Sequence, residues 1–384
     1  MYTETIRIYP NKTQCKLIDN TIEECRKLYN YFLQLNIDQY NLDKTFLWKF
    51  DLNKKINQFN FTVKIHSQVK QNVAARMDYA LHRIKTGNKF PKFKSPGQYR
   101  SFTYPQSTGF SLFPDKNKIN LGRLFGNIKS VFSRKPIGIP KTCCIKKYKS
   151  GKYYAFISFE DKDIPKIIPV RFQDTIGIDL GVSRFLTDEK GNYISSPRFL
   201  RKNLKKLTKA QRELSRKQKG SKNREKARLR VSRLQEKIAN SRKDFHFKVA
   251  HYLVNTYDQI ICEDLEVGSM FPGKSRQAEL ARRALRDVGL YQFLIILEHM
   301  CNKYNCQLIN VDPSYTTQMC HVCGTLVKKK LSERTHICPH CGLVIDRDIN
   351  AAINIFRIGK NFPVGTTGRS DSDRMLVEMI IPGI

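Results

Sequence analysis

The sequence predicts an α/β core preceded by a β-rich module, and three observations predict it. From Pro169 onward, apolar strand patterns alternate with helical ones, which implies a sheet with helices packed on it. Before that point, from Lys89, Pro and Gly punctuate runs of alternating β-branched and aromatic residues, as in strands joined by turns. Towards the C-terminus, two CxxC pairs mark a small metal-stapled insert in the core.

In chain order, TETIRIYP reads as a short strand. Helical patterning follows from Asn11 to about Ile84, with Leu28, Tyr31, Phe32 and Leu35 at helical spacing. SFTYPQ, GFSLF, KINLG, KTCCIKKY and KYYAFISFE then read as strands of an antiparallel barrel or sandwich. The first strand could join that sheet, which leaves the helices as an insertion. DTIGIDLGVSRFLTDEKGNYISS opens the core as a meander of three strands, the second at 184–187 and the third at 193–195. Residues 198 to about 255 form a helical stretch thick with Lys and Arg and broken at Gly220. Leu204, Leu207, Leu214, Leu229, Leu234 and Ile238 supply the seam on which it folds into a hairpin. YDQIICEDL returns to strand, a helix follows at about 290–304, QLINVD is a further strand, and the Gly-, Ser- and Pro-containing tail after Gly359 reads as weakly ordered.

Lys and Arg outnumber Asp and Glu by 69 to 34, a formal charge of +35 that calls for a polyanionic partner, nucleic acid first. A ribosomal or membrane-surface protein fits the charge but predicts a shorter chain or a basic amphipathic anchor. No run reaches the ~18–20 apolar residues that span a bilayer, so no membrane partner is expected. The opening MYTETIRIYPNKTQ lacks the basic-then-apolar plan of a signal peptide. The expected location is the cytoplasm, in association with the nucleoid. Of eleven cysteines, four form the CxxC pairs, while Cys15, Cys25, Cys143, Cys144, Cys262, Cys301 and Cys306 are scattered and read as packing.

Asp179 lies within GIDLGV, an apolar strand with a glycine two positions to either side, an arrangement expected to leave room for a phosphate. An acid in such a setting is costly without a cation nearby. Glu263 ends the apolar strand YDQIICE, with Asp264 and Glu266 as rivals. Asp348 begins DINAAINIF, where the helix dipole favours a negative charge and a simple cap would explain it; Asp346 is a substitute. Taken together, the acids of a first strand, a later strand end and a closing helix resemble the layout of the RNase H-like fold. In enzymes of that fold such acids hold two Mg2+ ions, hard cations suited to carboxylate oxygen. Cys320, Cys323, Cys338 and Cys341 form two knuckles for one structural Zn2+, a closed set with no position left for a catalytic water. His321, His336 and His340 are near enough to compete as ligands, and Asp348 follows Cys341 by seven positions.

GIDLGV, a basic helical insertion, ICEDL, PSYTTQMCHVCG and CPHCGLVIDRDINAAINI occur in one order, and together they closely resemble the TnpB family of transposon-encoded nucleases. The resemblance is strong over about 174–355 and extends more loosely to RIYPNKTQ and PKFKSPGQYRSFTYPQ. It implies an RNA-guided DNA endonuclease, related to the ancestors of type V CRISPR effectors, with a guide RNA from the transposon end and double-stranded target DNA as partners. Asp179, Glu263 and Asp348 match the family's RuvC acids, and the four cysteines match its zinc-binding region. The implied organisation is a wedge-like domain at 1–168 with a helical recognition insertion at about 11–88. A RuvC-like core at 169–317 carries the basic insertion at about 198–255, followed by a zinc ribbon at 318–343, a closing helix at 344–358 and a flexible tail at 359–384. Gln68, Lys70 and Gln71 would contact a short motif flanking the target. Arg201, Lys205, Lys206, Lys209, Arg212 and Arg216 would contact phosphates, adding affinity without reading bases. A transposase acting on transposon ends, and an RNA-guided repressor that does not cut, are the competing functions. The choice between monomer and homodimer stays open.

Overall fold

The computed structural model describes residues 1–160, 173–265, 276–330, 333–361, 377–379 and 381. They divide into two compact units, Met1–Ile164 and Pro165–Ile384.

The first unit opens with strand β1 (Tyr2–Tyr9), then helices α1 (Lys12–Asp43), α2 (Lys49–Lys55) and α3 (Ser67–His82). Six strands follow: β2 (Ser101–Tyr104), β3 (Ser111–Phe113), β4 (Lys118–Asn120), β5 (Asn127–Val131), β6 (Ile139–Lys147) and β7 (Tyr153–Glu160). A capping box starts α1, with Asn11 Oδ1 accepting from the Gln14 amide at 2.8 Å and Gln14 Oε1 accepting from the Asn11 amide at 3.0 Å. Lys44, left-handed at φ 63°, ends it. The seven strands form one sheet in the order β2-β6-β7-β1-β5-β4-β3, so the first strand does join it, beside β7 and β5. Among the described residues no ladder joins β2 to β3, but the two ends of the sheet curl toward one core: the Tyr104 hydroxyl of β2 donates to the Leu121 carbonyl beside β4 at 3.1 Å, and Phe102 stacks on Phe125. The even side-chain alternation of β1 and β7 buries Ile6, Ile8, Ala155 and Ile157 with Ile18, Leu28, Phe32 and Met77 of α1 and α3 in one core. β5 went unpredicted: NIKSV alternates over only five residues, with Asn, Lys and Val exposed, although Gly126, at φ 62°, marks the turn before it.

The second unit begins with β8 (Gln173–Leu180), β9 (Arg184–Asp188) and β10 (Asn192–Ser195). Then come α4 (Phe199–Ser215), α5 (Lys222–Thr256), β11 (Tyr257–Glu263), α6 (Arg276–Val288), α7 (Leu290–Tyr304) and β12 (Gln307–Val311). The chain continues with β13 (Thr335–Ile337), β14 (Val344–Asp346), α8 (Arg347–Gly359) and β15 (Val377–Glu378). The main sheet has the order β12-β11-β8-β9-β10-β15. β11 runs parallel to both β8 and β12, while β9 is antiparallel to its neighbours β8 and β10. Ile176, Ile178, Ile260 and Cys262 face α5 and α7, packing with Val249, Leu253, Phe293 and Leu297. Ile261 faces the other way, beneath Ile355 and Phe356 of α8.

α4 and α5 make the expected hairpin, turning at Gly220 with φ 85° and closing on Leu207, Ala210, Val231 and Ile238. Leu204 is not in that seam; half its surface is exposed. The tail, read as flexible, contributes β15, which pairs in parallel with β10. Among the described residues no helix is long and apolar enough to cross a membrane.

Candidate functional site

In the parallel register of β8 and β11, Cys262 stands opposite Ile178, so the next residues, Asp179 and Glu263, fall level on neighbouring strands. Both occupy the face that carries Gly177 and Ile261, the face covered by α8. Asp348 lies in the first turn of that helix. The structure thus brings the acids together, close enough that the charges of Glu263 and Asp348 act on Asp179. Glu263 and Asp348 are buried, while Asp179 keeps a little surface. Burial, then the two neighbouring carboxylates, pushes Asp179 well above the usual carboxylate range, against the pull of Arg347. Burial also raises Glu263, opposed by a hydrogen bond that Thr316 Oγ1 donates to its carboxylate.

Gly177 has a role other than phosphate access. A Cβ there would sit 2.5 Å from Cβ and 2.8 Å from Cα of Phe356, so the glycine lets α8 lie directly on β8. A Cβ at Gly181 would meet the Arg184 carbonyl at 2.9 Å, in the turn to β9.

The rival acids separate by position. Asp346 is the N-cap of α8, accepting from the Asp348 amide at 2.9 Å, and also takes Arg184 Nη1 at 3.0 Å. Asp264 faces solvent, and Glu266 lies outside the described residues. Asp348 is ringed by cations: Arg184 Nη1 at 3.0 Å, Arg347 Nη2 at 3.2 Å and Arg334 Nη1 at 3.6 Å.

The four cysteine sulfurs lie within 4.8 Å of one another, a cluster that could hold a metal ion. Cys320 Sγ is 3.7 Å from Cys341 Sγ and Cys323 Sγ is 3.5 Å from Cys338 Sγ. A tetrahedral zinc with Zn–S bonds of ~2.3 Å sets sulfurs roughly 3.8 Å apart, so the cage fits zinc. The two knuckles repeat one geometry: Gly324 and Gly342, at φ 75° and 74°, return their amides to the carbonyls of Cys320 and Cys338 at 2.9 and 3.0 Å. The histidines are otherwise engaged or turned away. His321 Nδ1 is 3.0 Å from Asn350 Oδ1, His336 Nδ1 meets the Lys329 ammonium, and His340 is exposed.

Sequence reasoning missed the staple between knuckle and acids. Asn350 and Asn354 are fully buried on α8 and donate to the Met319 carbonyl at 2.7 and 2.8 Å, and Asn354 also donates to the Thr316 carbonyl at 2.8 Å. Arg357 donates to the His321 carbonyl. These side chains, at i, i+4 and i+7, hold the segment 316–321 against α8 and place Thr316 on Glu263. Two asparagines four apart in an otherwise apolar helix were the signal.

The five basic residues named on α4, and Arg216 at its C-cap, are exposed. Lys205, Lys209, Arg212 and Arg216 line one groove along the helix, with Arg201 and Lys206 outside it. Asp287 of α6 accepts from the amides of Leu200 and Arg201 at 2.7 and 3.1 Å, closing the N-terminus of α4. On α3 the three residues named for motif contact part company. Gln68 is buried and donates to Thr108 Oγ1 at 2.7 Å, so it is not presented to a ligand in solvent. Lys70 sits 4.1 Å over the Phe61 ring, and Gln71 is exposed.

Fold and site define a class: an α/β sheet with acids gathered under a closing helix that starts where a four-cysteine knuckle ends. Comparison with known proteins agrees. A family model described as probable transposase, OrfB_IS605, matches residues 163–272, and a Cas12f1-like TNB domain matches 291–355. A helix-turn-helix model matches 4–45, a segment that here is β1 and one unbroken helix. A Streptomyces pristinaespiralis protein named RNA-guided DNA endonuclease is 27% identical, over 92% of this chain and 88% of its own. The Escherichia coli protein named RNA-guided DNA endonuclease InsQ is 32% identical, over 70% of this chain and 68% of its own. A Cas12f1 chain, solved by cryo-EM with sgRNA and target DNA, aligns with a TM-score of 0.54 at 16% identity, over 90% of this chain and 83% of that one, a likeness of fold. The chain belongs to the TnpB family.

Proposed function

We propose that this protein is an RNA-guided DNA endonuclease, encoded by a transposon, that cuts target DNA beside a short flanking motif. The convergence of Asp179, Glu263 and Asp348 under α8 carries the reading. The names of the relatives above support the guided part of it. In this reading the second unit is an RNase H-like, RuvC-type core with an inserted zinc ribbon, and the first is a wedge-like domain with a helical recognition insertion.

The donor set fits two Mg2+ ions: it is all carboxylate oxygen, and burial, with the neighbouring carboxylates, raises Asp179 well above the usual range, a cost that a cation there would offset. Mg2+ held by the three acids would supply an activated water and stabilise the leaving oxygen. The chain's own residues prepare the site. Thr316 fixes the orientation of Glu263, Asp346 caps α8 so that Asp348 is left to the site, and Arg184 and Arg347 hold the Asp348 carboxylate in place. The exposed stripe on α4 grips phosphates, and base pairing by the guide reads sequence. On α3, Gln71 and Lys70 remain the residues for the flanking motif.

Expression with native flanking DNA, sequencing of co-purified RNA and a Mg2+-dependent cleavage assay on a matched plasmid library test the proposal. Cleavage that needs the RNA and vanishes in Asp179→Ala is expected. The match to a model described as probable transposase favours a second reading, which cutting at transposon ends without RNA would establish. Bound RNA without any cleavage would point to a repressor.

A further inference from the structure

At the far end of α1, five aromatic rings gather where the helical insertion meets solvent. Tyr40 and Phe46 stack at 5.1 Å and 13°, Trp48 and Phe90 approach Phe46 at 6.0 and 6.2 Å, and His82 packs on Trp48 at 4.5 Å. Core packing explains the inner faces of Phe46 and Trp48, which lie against the hydrophobic core. It does not explain Tyr40 and Phe90, 41% and 37% exposed, or nearby Phe50, 77% exposed.

Lysines stand over these rings: Lys44 over Tyr40 at 5.1 Å, Lys85 over Trp48 at 5.2 Å and Lys49 over Phe50 at 5.9 Å. Lys89 and Lys92 flank Phe90 in sequence and are exposed. The nearby acids are committed to the local backbone. Asp43 accepts from the Thr45 amide at 2.9 Å, Asp51 from the Trp48 amide at 3.3 Å and Asp78 from the Lys49 amide at 3.0 Å. The patch therefore offers ring faces and cations to whatever docks there.

We propose that the Tyr40–Phe46–Trp48–Phe90 cluster and its lysines form a stacking platform for unpaired bases of an RNA strand. Exposed aromatics interleaved with cations are what a single strand needs, because every base has a face to stack and every linkage a charge to neutralise. A second copy of this chain is disfavoured as the occupant, since it would bring the same lysines, on a molecule of charge +35, face to face with these. Duplex DNA has already stacked its bases. The inference rests on the guided reading above, in which the partner with permanently unpaired segments is the guide RNA.

Trp48 is the single tryptophan of the chain, so its emission reports on this patch alone. The full-length protein, stripped of nucleic acid at high salt, is titrated with a short oligouridylate, the same strand without bases, and an oligothymidylate of equal length. Anisotropy of an end-labelled oligouridylate measures total binding in parallel. Expected is saturable quenching by the oligouridylate that follows total binding. Phe90→Ala should weaken it by about 5- to 150-fold, the range that stacking of one base spans, and Phe90→Tyr should restore it. Lys85→Ala, which removes a charge from over Trp48 and leaves the rings in place, should weaken it by a smaller factor, with both alanine variants melting near the wild-type temperature. Oligouridylate that binds without changing Trp48 would overturn the platform and leave the guided reading standing. Equal quenching by the base-free strand, preference for the oligothymidylate, or a spectrum that shifts with protein concentration alone would overturn it too. Absence of RNA binding by either signal would instead bring down the guided reading and this inference with it.

Discussion

At Asp179 the proposed chemistry is set against stability. Its carboxyl is held above the usual range by burial and by Glu263 and Asp348, so the folded chain keeps a proton that the unfolded chain has released. Without metal, the contribution of Asp179 to stability is then fully present below the ordinary carboxylate range and is lost as pH rises from there through its raised value. Asp179→Asn should flatten that decline and raise the melting temperature in chelator at neutral pH by a few degrees, while abolishing cleavage; unchanged melting would refute the repulsion. Thr316 acts through Glu263. Thr316→Val should raise the Mg2+ concentration needed for half-maximal cleavage and weaken Mn2+ binding in calorimetry, whereas Thr316→Ser, which keeps the hydroxyl, should restore both.

At the scale of elements, α8 is the part on which the site turns, because it carries Asp348, covers the strands of Asp179 and Glu263 and binds the knuckle segment. Its seat on β8 depends on Gly177. The Cβ of Gly177→Ala would press into Phe356 backbone and Cβ, which cannot swing aside, so we expect about 1–3 kcal/mol lost in denaturant unfolding. The α4 stripe contributes differently. Lys205→Ala, Lys209→Ala and Arg212→Ala should each weaken nucleic-acid binding uniformly across sequences and lower the salt slope by about 1, as phosphate contacts do. A loss confined to particular sequences would mean that these residues read bases.

Across the whole molecule, the metal knuckle and the acids form one mechanical unit within the second compact body. The chain from Cys320 to Cys341 is closed by the thiolate cage, and the residues on either side of it supply Thr316 and Asp348. Zinc held there would contribute directly to folding of this segment. Chelation, or Cys338→Ser, should therefore release about one zinc per chain and abolish Mg2+-dependent cleavage, although no thiolate serves the reaction. Cleavage that survived zinc loss would show that the staple through Asn350 and Asn354 suffices alone.

Much of this architecture is local information, and the sequence by itself determined it. Apolar periodicity marked β8, β11 and α7, Gly220 marked the hairpin turn, and CxxC spacing marked the knuckle, because period, φ > 0 and ligand reach are properties of short segments. The acids were legible as acids in apolar surroundings, and family resemblance chose among them. Tertiary structure alone decided what each neighbour does. It gave Asp346 to the cap, Gln68 to the interior, Gly177 to helix packing and Val377 to a sixth strand. It also joined Thr316 to Glu263, 53 residues apart. A hydrogen bond or a close approach between distant segments leaves no period in the chain, since it depends on where the sheet and α8 bring them.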